Sequence, residues 1–252
     1  MQGTLCLTVD NLGNALAIGR GRAFRPDPCE PGLALGLPRA LSLFKSLGLS
    51  ATFFVEGWNG IHHPSAIAAM LEHGHEVALH GWVHERWAEL SDEQQEVLLW
   101  DGNAALRMAG ANPKGFRAPG GYRGSRTEEL LVELGYEYDS SIEPGTEGDL
   151  LRAHALESGL AVVPWHWTGN DYWQYTMHPD GGRSPAQMLE TWEETLKEVV
   201  ADAGLMTVTL HPFVSFVDDE RQGVVQRFLE TALQTSGLRV VGASTLAASL
   251  NK

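Results

Sequence analysis

Short apolar runs alternate with helical patterns along all 252 residues of the chain. Runs rich in β-branched and aromatic residues predict strands at residues 4–10, 51–56, 75–80, 114–119, 136–141, 160–165, 205–211 and 238–243. The segments between them mostly begin on Ser, Asp or Pro and end on Gly, as helices do. Because the strands are apolar on both faces, the pattern predicts an α/β fold, a distorted (β/α) barrel of seven or eight units, with residues 1–252 in a single domain.

The charge balance argues against two classes of partner. With 18 basic and 32 acidic residues the net charge is −14, and such a surface repels nucleic acids and anionic membranes. Residues 1–20 lack the basic start, apolar run and cleavage site of a signal peptide, and no window reaches the roughly 18 apolar residues of a membrane span. We therefore expect a cytoplasmic protein that binds neither nucleic acid nor membrane.

Reactive side chains stand at the ends of the predicted strands. Asp10 and Asn11 end the first strand, His80 the third, Arg117 the fourth and His211 the seventh. Barrel enzymes of this type place their reactive groups at the carboxyl ends of the strands. The sequence therefore predicts a functional site at that rim.

The segment LHGWVHE, residues 79–85, contains the strongest single indication of a metal site. His80 and His84 are four residues apart, so one turn of helix or a tight loop brings both imidazoles to the same side. Two such nitrogens suit Zn, Co, Ni or Fe. In a chain with ten histidines, a chance pair of this spacing remains an alternative.

The strand-end residues, taken in order, resemble the motifs of the polysaccharide deacetylase family, the metal-dependent de-N-acetylases of chitin and peptidoglycan. The similar segments are TVDN (8–11) for TFDDG, HGWVH (80–84) for H(S/T)xxH, RAPGG (117–121) for RxPxG, PWHWTGNDYW (164–173) for an aromatic segment with an Asp, and LHP (210–212) for LxH. The HGxxHE and LHP forms look more like a cytoplasmic branch of the family, which includes enzymes acting on small amides and cyclic imides, than like the secreted chitin deacetylases.

The resemblance implies a divalent transition metal, zinc in the first place and cobalt or nickel as alternatives. Its ligands would be His80 and His84, with Asn11 standing where the family has an Asp. An Asn carbonyl oxygen can coordinate a metal but brings no charge. Three outcomes stay open: Asn11 coordinates weakly, Asp10 takes over as a ligand while another residue acts as the base, or the site holds no metal.

The resemblance also assigns roles in amide hydrolysis, which needs a base, a stabilised oxyanion and a proton for the leaving amine. Asp10 is implied as the general base, and Arg117 holds it ionised and oriented. His211 is implied as the general acid, held protonated by a carboxylate that the sequence does not identify. The backbone N–H of Gly120 would donate to the oxyanion, and Asp171 is expected to orient Arg117.

Aromatic residues near the predicted rim are candidates for substrate binding, although ordinary packing would also explain them. Their faces stack equally well on sugar rings and on flat heterocycles. The candidates are Trp58, Trp82, Trp167, Trp173 and Tyr175.

The sequence predicts a metal-dependent hydrolase of a non-peptide C–N bond, acting on an amino sugar or an oligosaccharide by de-N-acetylation. One alternative is a cyclic amide or imide hydrolase. Another is a catalytically impaired carbohydrate-binding relative, suggested by Asn11. The apolar segment LALGLP at residues 33–38 would permit a homodimer or homotetramer.

Overall fold

The computed structural model describes residues 2–146 and 150–250, and a curled, half-barrel sheet lies at its centre. The strands of this sheet are β1 (Gly3–Asp10), β2 (Thr52–Val55), β3 (Glu76–Leu79), β4 (Gly115–Phe116), β5 (Tyr138–Asp139), β6 (His154–Ala155), β7 (Ala161–Val162), β8 (Leu205–Leu210) and β9 (Leu238–Val241). Each predicted strand has a counterpart among them, and the predicted barrel architecture is confirmed.

The strand order is β6-β7-β5-β4-β3-β2-β1-β8, and β9 also pairs with β1. All pairings are parallel except that of β6 with β7. Strand β6 was not predicted from the sequence, because a two-residue antiparallel edge carries too little pattern to recognise. Parallel order places the carboxyl ends of the other strands at one rim, where barrel enzymes carry their active sites.

Ten α-helices are present within the described residues. They are α1 (Ala15–Gly19), α2 (Leu37–Leu47), α3 (Gly57–His62), α4 (Pro64–Glu72), α5 (Asp92–Met108), α6 (Thr127–Glu133), α7 (Pro185–Ala201), α8 (Pro212–Ser215), α9 (Asp219–Gln234) and α10 (Ala243–Ala248). The two longest helices, α5 and α7, both begin with a capping box, in which an N-cap Ser and a Gln three residues later exchange hydrogen bonds with the backbone. None of the helices in these ranges is both long and apolar enough to cross a bilayer.

The alternation of side chains along β1 divides the interior in two. Leu5, Leu7 and Val9 belong to the large core between the sheet and the helices. Cys6 belongs to a smaller cluster that draws one side chain from each of several strands and is closed by α10. Thr8 and Asp10 continue this second face toward the rim. Because alternate side chains of a strand share one face, Asp10 points into the barrel.

Candidate active site

A cavity of about 340 Å³ opens at the carboxyl ends of the strands. Most of the residues predicted to do chemistry line it: Asp10, Asn11, His80, His84, Gly120 and His211. Arg117 and Asp171 are completely buried, and each contacts one of these lining residues. The rim of the parallel strands therefore brings together side chains that are up to about 200 residues apart in the chain.

The ion pair between Asp10 and Arg117 forms one wall of the cavity. Arg117 Nη1 donates to Asp10 Oδ1 over 2.7 Å and to the hydroxyls of Thr8 and Thr209 over 2.9 and 3.2 Å. Its Nε and Nη2 donate to the carbonyl and hydroxyl of Ser140 over 2.9 and 2.8 Å. A buried guanidinium is tolerable only when its donors are satisfied in this way. The arrangement fixes Asp10 Oδ1 and leaves Oδ2 facing His80.

Burial favours the neutral form of both histidines of the HxxxH segment. Nδ1–H of His80 donates to the carbonyl of Arg117 over 2.9 Å, so Nε2 carries the lone pair, 3.9 Å from Asp10 Oδ2. The ring of His84 lies 5.1 Å from that of His80, centroid to centroid. Burial lowers the pKa of each ring to about 3, so neither is protonated near neutral pH.

Unusual backbone conformations present Asn11 and His84 to the cavity. Their φ angles are +60° and +64°, in the left-handed region that few residues other than glycine adopt. The carboxylate of Glu85 accepts the backbone N–H groups of Trp82 and Val83 over 3.0 and 2.8 Å, which holds the loop in place. Such conformations persist where surrounding contacts enforce them, and they occur often at functional sites.

The side chain of Asn11 bears on whether a metal fits. Its Oδ1 atom is buried and has no hydrogen-bond partner, which is costly for a polar atom. No group of three or more His, Cys, Asp or Glu side chains that could hold a metal occurs within residues 2–146 and 150–250. Asn11 lines the same cavity as His80 and His84, so its unpartnered amide oxygen is available there as a third donor. Two neutral imidazoles and one unsatisfied amide oxygen fit a divalent transition metal.

Asp171 supplies the carboxylate partner of His211, and the prediction that Asp171 orients Arg117 is wrong. Its Oδ1 accepts from His211 Nδ1 over 2.5 Å, and its Oδ2 accepts from the His211 backbone N–H and the Ser215 hydroxyl over 2.9 and 2.5 Å. The cause is the bridge between Asn170 and Thr209, which places the segment after β7 beside the end of β8. With Nδ1 occupied, Nε2 of His211 is the ring nitrogen available to a ligand.

Gly120 lies on the rim with a φ of +78°, and an added Cβ would meet no atom within 4 Å. Its N–H has no hydrogen-bond acceptor among the described residues, although it lines the cavity. The position is therefore compatible with donation to a bound oxygen atom.

The structure places two of the five aromatic candidates at the cavity. Trp167 and Trp173 line the cavity, with ring centroids 6.4 Å apart. Trp58, Trp82 and Tyr175 do not line it. Trp58 is buried in α3 against His62, Trp82 packs against the backbone at Gly57, and Tyr175 is covered by the guanidinium of Arg221 at 4.4 Å. These three predictions were wrong because closeness to a rim motif in sequence does not fix the direction of a side chain.

Other aromatic residues of the cavity were missed. Trp165, Tyr172 and Phe213 line it as well. Trp165 follows a predicted strand directly and Phe213 follows the LHP segment, so their positions at strand ends were the available signal.

Glu56, at the end of β2, was also missed. Its carboxyl group is completely buried and accepts from the Leu12 N–H and from Asn59 Nδ2 over 3.1 and 2.8 Å. Burial raises the pKa of Glu56 to about 8. These contacts hold the turn that follows Asn11. The available signal in the sequence was that Glu56 is a charged residue at the end of an otherwise apolar strand.

The family model for polysaccharide deacetylases matches residues 31–138. Over 223 residues the chain is 35% identical to a peptidoglycan deacetylase of Helicobacter pylori, an alignment that covers 75% of this chain and 76% of the relative. The chain belongs to the polysaccharide deacetylase family. Membership confirms the resemblance that the motifs indicated, and it confirms an enzyme of the deacetylase type, which hydrolyses a non-peptide C–N bond.

Solved structures support the fold of this polysaccharide deacetylase family member. A Mycobacterium smegmatis structure assigned to the polysaccharide deacetylases superposes with a TM-score of 0.85 at 27% identity, covering 98% of this chain and 90% of that chain. The Puue allantoinase superposes with a TM-score of 0.81 at 20% identity and the same coverage, a likeness of fold alone.

Proposed function

We propose that this protein removes the acetyl group from the nitrogen of an amino sugar, alone or in an oligosaccharide, in a metal-dependent hydrolysis. The observation that carries the proposal is one cavity with a base at one wall and an acid at another. Asp10, paired with Arg117, faces the His80 imidazole on one side. His211, paired with Asp171, lines the same cavity. Family membership and the relative named a peptidoglycan deacetylase support the choice of substrate.

The donor set proposed for the metal is His80, His84 and the amide oxygen of Asn11. Zinc is our first choice, with cobalt or nickel as alternatives, because neutral imidazoles suit these ions. When bound, the metal would polarise the amide carbonyl and lower the pKa of water. Both histidines already have a pKa of about 3, so no proton has to leave either ring before it binds a cation near neutral pH.

Asp10 accepts the proton of the attacking water through Oδ2, while Oδ1 stays bound to Arg117. A C–O bond forms at the acetyl carbon, and the negative charge that develops on its oxygen is stabilised by the N–H of Gly120. His211 then gives the Nε2 proton to the leaving nitrogen as the C–N bond breaks, while Nδ1–H remains on Asp171. The products are acetate and a free amine.

The aromatic wall binds the rest of the substrate. Trp167 and Trp173 present adjacent faces that can stack on a pyranose ring. A cavity of about 340 Å³ has room for a single sugar ring or a small amide. Its size supports a small substrate, as in the small-amide branch of the family. A cytoplasmic location and assembly into dimers or tetramers stay predictions.

The test is release of acetate from N-acetylglucosamine and its short oligomers. We would assay the purified protein before chelation, after chelation and after reconstitution with zinc, cobalt or nickel, with elemental analysis at each step. Asp10→Asn should lower kcat by about 10² to 10⁴-fold, the usual contribution of a general base. The matched control is Asp219→Asn, which makes the same change at an exposed ion pair with Arg39 and should leave kcat unaltered.

Other outcomes would contradict the proposal. Full activity of Asp10→Asn, or full activity after complete metal removal, would contradict the mechanism. Hydrolysis of a cyclic amide or imide without acetate release would favour the cyclic-amide alternative. Sugar binding without turnover of any substrate would identify an impaired relative.

A further inference from the structure

Residues 56–59, with the sequence EGWN, connect the two parts of the chain that carry the proposed metal donors. They run from the end of β2 into the first turn of α3, and all four are buried. Their side chains bind the turn that follows Asn11, and their backbone binds the loop between His80 and His84. The segment EGWN therefore sets how these two parts lie relative to each other.

The side chains of Glu56 and Asn59 hold both polar backbone groups of Leu12, the residue after Asn11. Glu56 Oε2 accepts from the Leu12 N–H over 3.1 Å, and Asn59 Nδ2 donates to the Leu12 carbonyl over 3.0 Å. The two side chains also bind each other, from Asn59 Nδ2 to Glu56 Oε2, over 2.8 Å. On the other side of the turn, the N–H of Asn11 donates to the carbonyl of Phe54 over 3.3 Å. These contacts account for the φ of +60° at Asn11, a conformation that surrounding contacts must enforce.

The backbone of the same segment holds the HxxxH loop. The N–H of Gly57 donates to the carbonyl of Gly81 over 2.8 Å, and the N–H of Trp58 donates to the carbonyl of Trp82 over 3.1 Å. N–H groups in the first turn of a helix have no acceptor within that helix, so they are available for such contacts. Gly81 and Trp82 lie between the two histidines in the chain, and the loop is thus bonded directly to the start of α3.

Helix α5 supports α3 from behind. A Cβ added to Gly57 would lie 2.4 Å from the Cα of Gly102, and one added to Gly60 would lie 2.6 Å from the carbonyl oxygen of Ala105. The two helix backbones are therefore in direct contact, an approach that only glycine permits. Because close-packed backbone has no room to move, α3 offers a rigid base for both sets of hydrogen bonds.

We infer that Glu56 and Asn59 are positioning residues that preset Asn11 for a metal held by His80 and His84. The inference rests on the metal site of the proposed function. Neither residue has to touch the ion, because both act through the backbone of Leu12. The required features are an acceptor for the Leu12 N–H and a donor for its carbonyl. Without them the turn would have to order itself before Asn11 could coordinate, and metal affinity would fall.

The test is a calorimetric zinc titration of the metal-free chain and its variants. Glu56→Ala removes the acceptor and should lower zinc affinity by about 10- to 100-fold, the usual cost of losing a group that orients a metal ligand. Asn59→Ala should lower it to a similar extent. The double variant should lose less than the two single losses combined, since both residues act on one turn.

Glu56→Gln is the conservative variant and should rescue binding. A Gln oxygen can accept the same two hydrogen bonds as Glu56 Oε2. The other carboxyl oxygen, Oε1, has no hydrogen-bond partner among the described residues, so an NH₂ group there displaces no contact. Zinc affinity of Glu56→Gln should therefore stay within about threefold of the wild type.

Glu76→Ala is the matched control. Glu76 also accepts several hydrogen bonds, from the Thr52 hydroxyl, the Tyr138 hydroxyl and the Ser244 N–H over 2.6, 3.0 and 3.3 Å. It lies at the start of β3, at the opposite end of the barrel from the cavity. Its loss should lower Tm and leave zinc affinity unaltered. The absorption bands of bound cobalt, which report coordination geometry, should change in Glu56→Ala and not in Glu76→Ala.

Several outcomes would overturn the inference. One is equal zinc affinity of the wild type and a folded Glu56→Ala variant. Another is an equal loss of affinity in the Glu56→Ala and Glu76→Ala variants, because general destabilisation would then explain it. A Glu56→Gln variant as weak as Glu56→Ala would show that charge, and not the position of the turn, is responsible. If Glu56→Ala does not fold, Asn59→Ala carries the same comparison.

Binding separates this inference from the proposed deacetylation. The expected order of zinc affinities without acetate release from any substrate would support the positioning role and refute the deacetylation. Acetate release by a chain whose variants all bind zinc equally well would do the reverse. A wild-type chain that binds no zinc, cobalt or nickel would refute both.

Discussion

Replacing Asn11 with Asp should destabilise the metal-free protein and raise its affinity for a metal. Asn11 is 6% exposed, and its Oδ1 atom has no hydrogen-bond partner. An Asp there adds a carboxylate next to Asp10, with little water and no donor to stabilise it. The φ of +60° is tolerated by Asp as well as by Asn, so backbone strain should change little.

The size of both effects follows from the same burial. Burial of a carboxyl group commonly raises its pKa by about 2 units, and each unit corresponds to about 1.4 kcal/mol. The metal-free Asn11→Asp variant should therefore lose about 3 kcal/mol of unfolding free energy near pH 7. A divalent cation on the carboxylate relieves that penalty, and about 3 kcal/mol corresponds to roughly 100-fold tighter binding.

Thermal unfolding measures both effects in one experiment. In a chain of this size 1 kcal/mol shifts Tm by about 2 to 4 °C, so the variant with chelator should melt about 6 to 12 °C below the wild type. A zinc titration should then raise Tm further and at lower concentration than in the wild type. Asn170→Asp is the matched control, because it adds a carboxylate to the same cavity on the segment that carries the aromatic residues. An Asn11→Asp variant whose zinc affinity stays within threefold of the wild type would refute the assignment of Asn11 as a ligand.

Two further predictions concern buried carboxyl groups. Burial raises the pKa of Glu56 from 4.5 to about 8, so between these values the folded chain binds more protons than the unfolded chain, and this group's contribution to stability is lost as pH rises. With chelator present, the unfolding free energy of Glu56→Gln, measured by urea denaturation, should equal that of the wild type near pH 5. Toward pH 8 it should exceed the wild-type value progressively, by up to roughly 1 kcal/mol per pH unit. A constant difference between the two proteins from pH 5 to pH 8 would contradict this. Asp171→Asn should reverse the tautomer of His211 and lower kcat by about 10² to 10⁴-fold with little change in KM, as loss of an orienting carboxylate does in other hydrolases. Acetate release within a few-fold of the wild type would show that the pair is dispensable.

The candidate site could be predicted best where its residues are close in sequence. His80 and His84 share one short loop, and Asp10 ends a strand of regular period, so local pattern was sufficient to select them. Asp171 and His211 are 40 residues apart, and only the pairing of Asn170 with Thr209 brings their segments together. A local sequence pattern does not reveal a contact between distant segments. For this reason the partner of His211 was not identified from the sequence, and Asp171 was assigned to Arg117.

The sequence by itself determined the order of strands and helices, the rim on which the reactive groups lie and the family of the chain. These depend on local period and on short motifs, which act within a few residues. The tertiary structure decided which side chains meet: that Asp171 pairs with His211, and that Trp58 packs away from the cavity. Such contacts depend on the packing of segments that are distant in the chain, and the direction of a side chain at a loop is fixed by that packing alone.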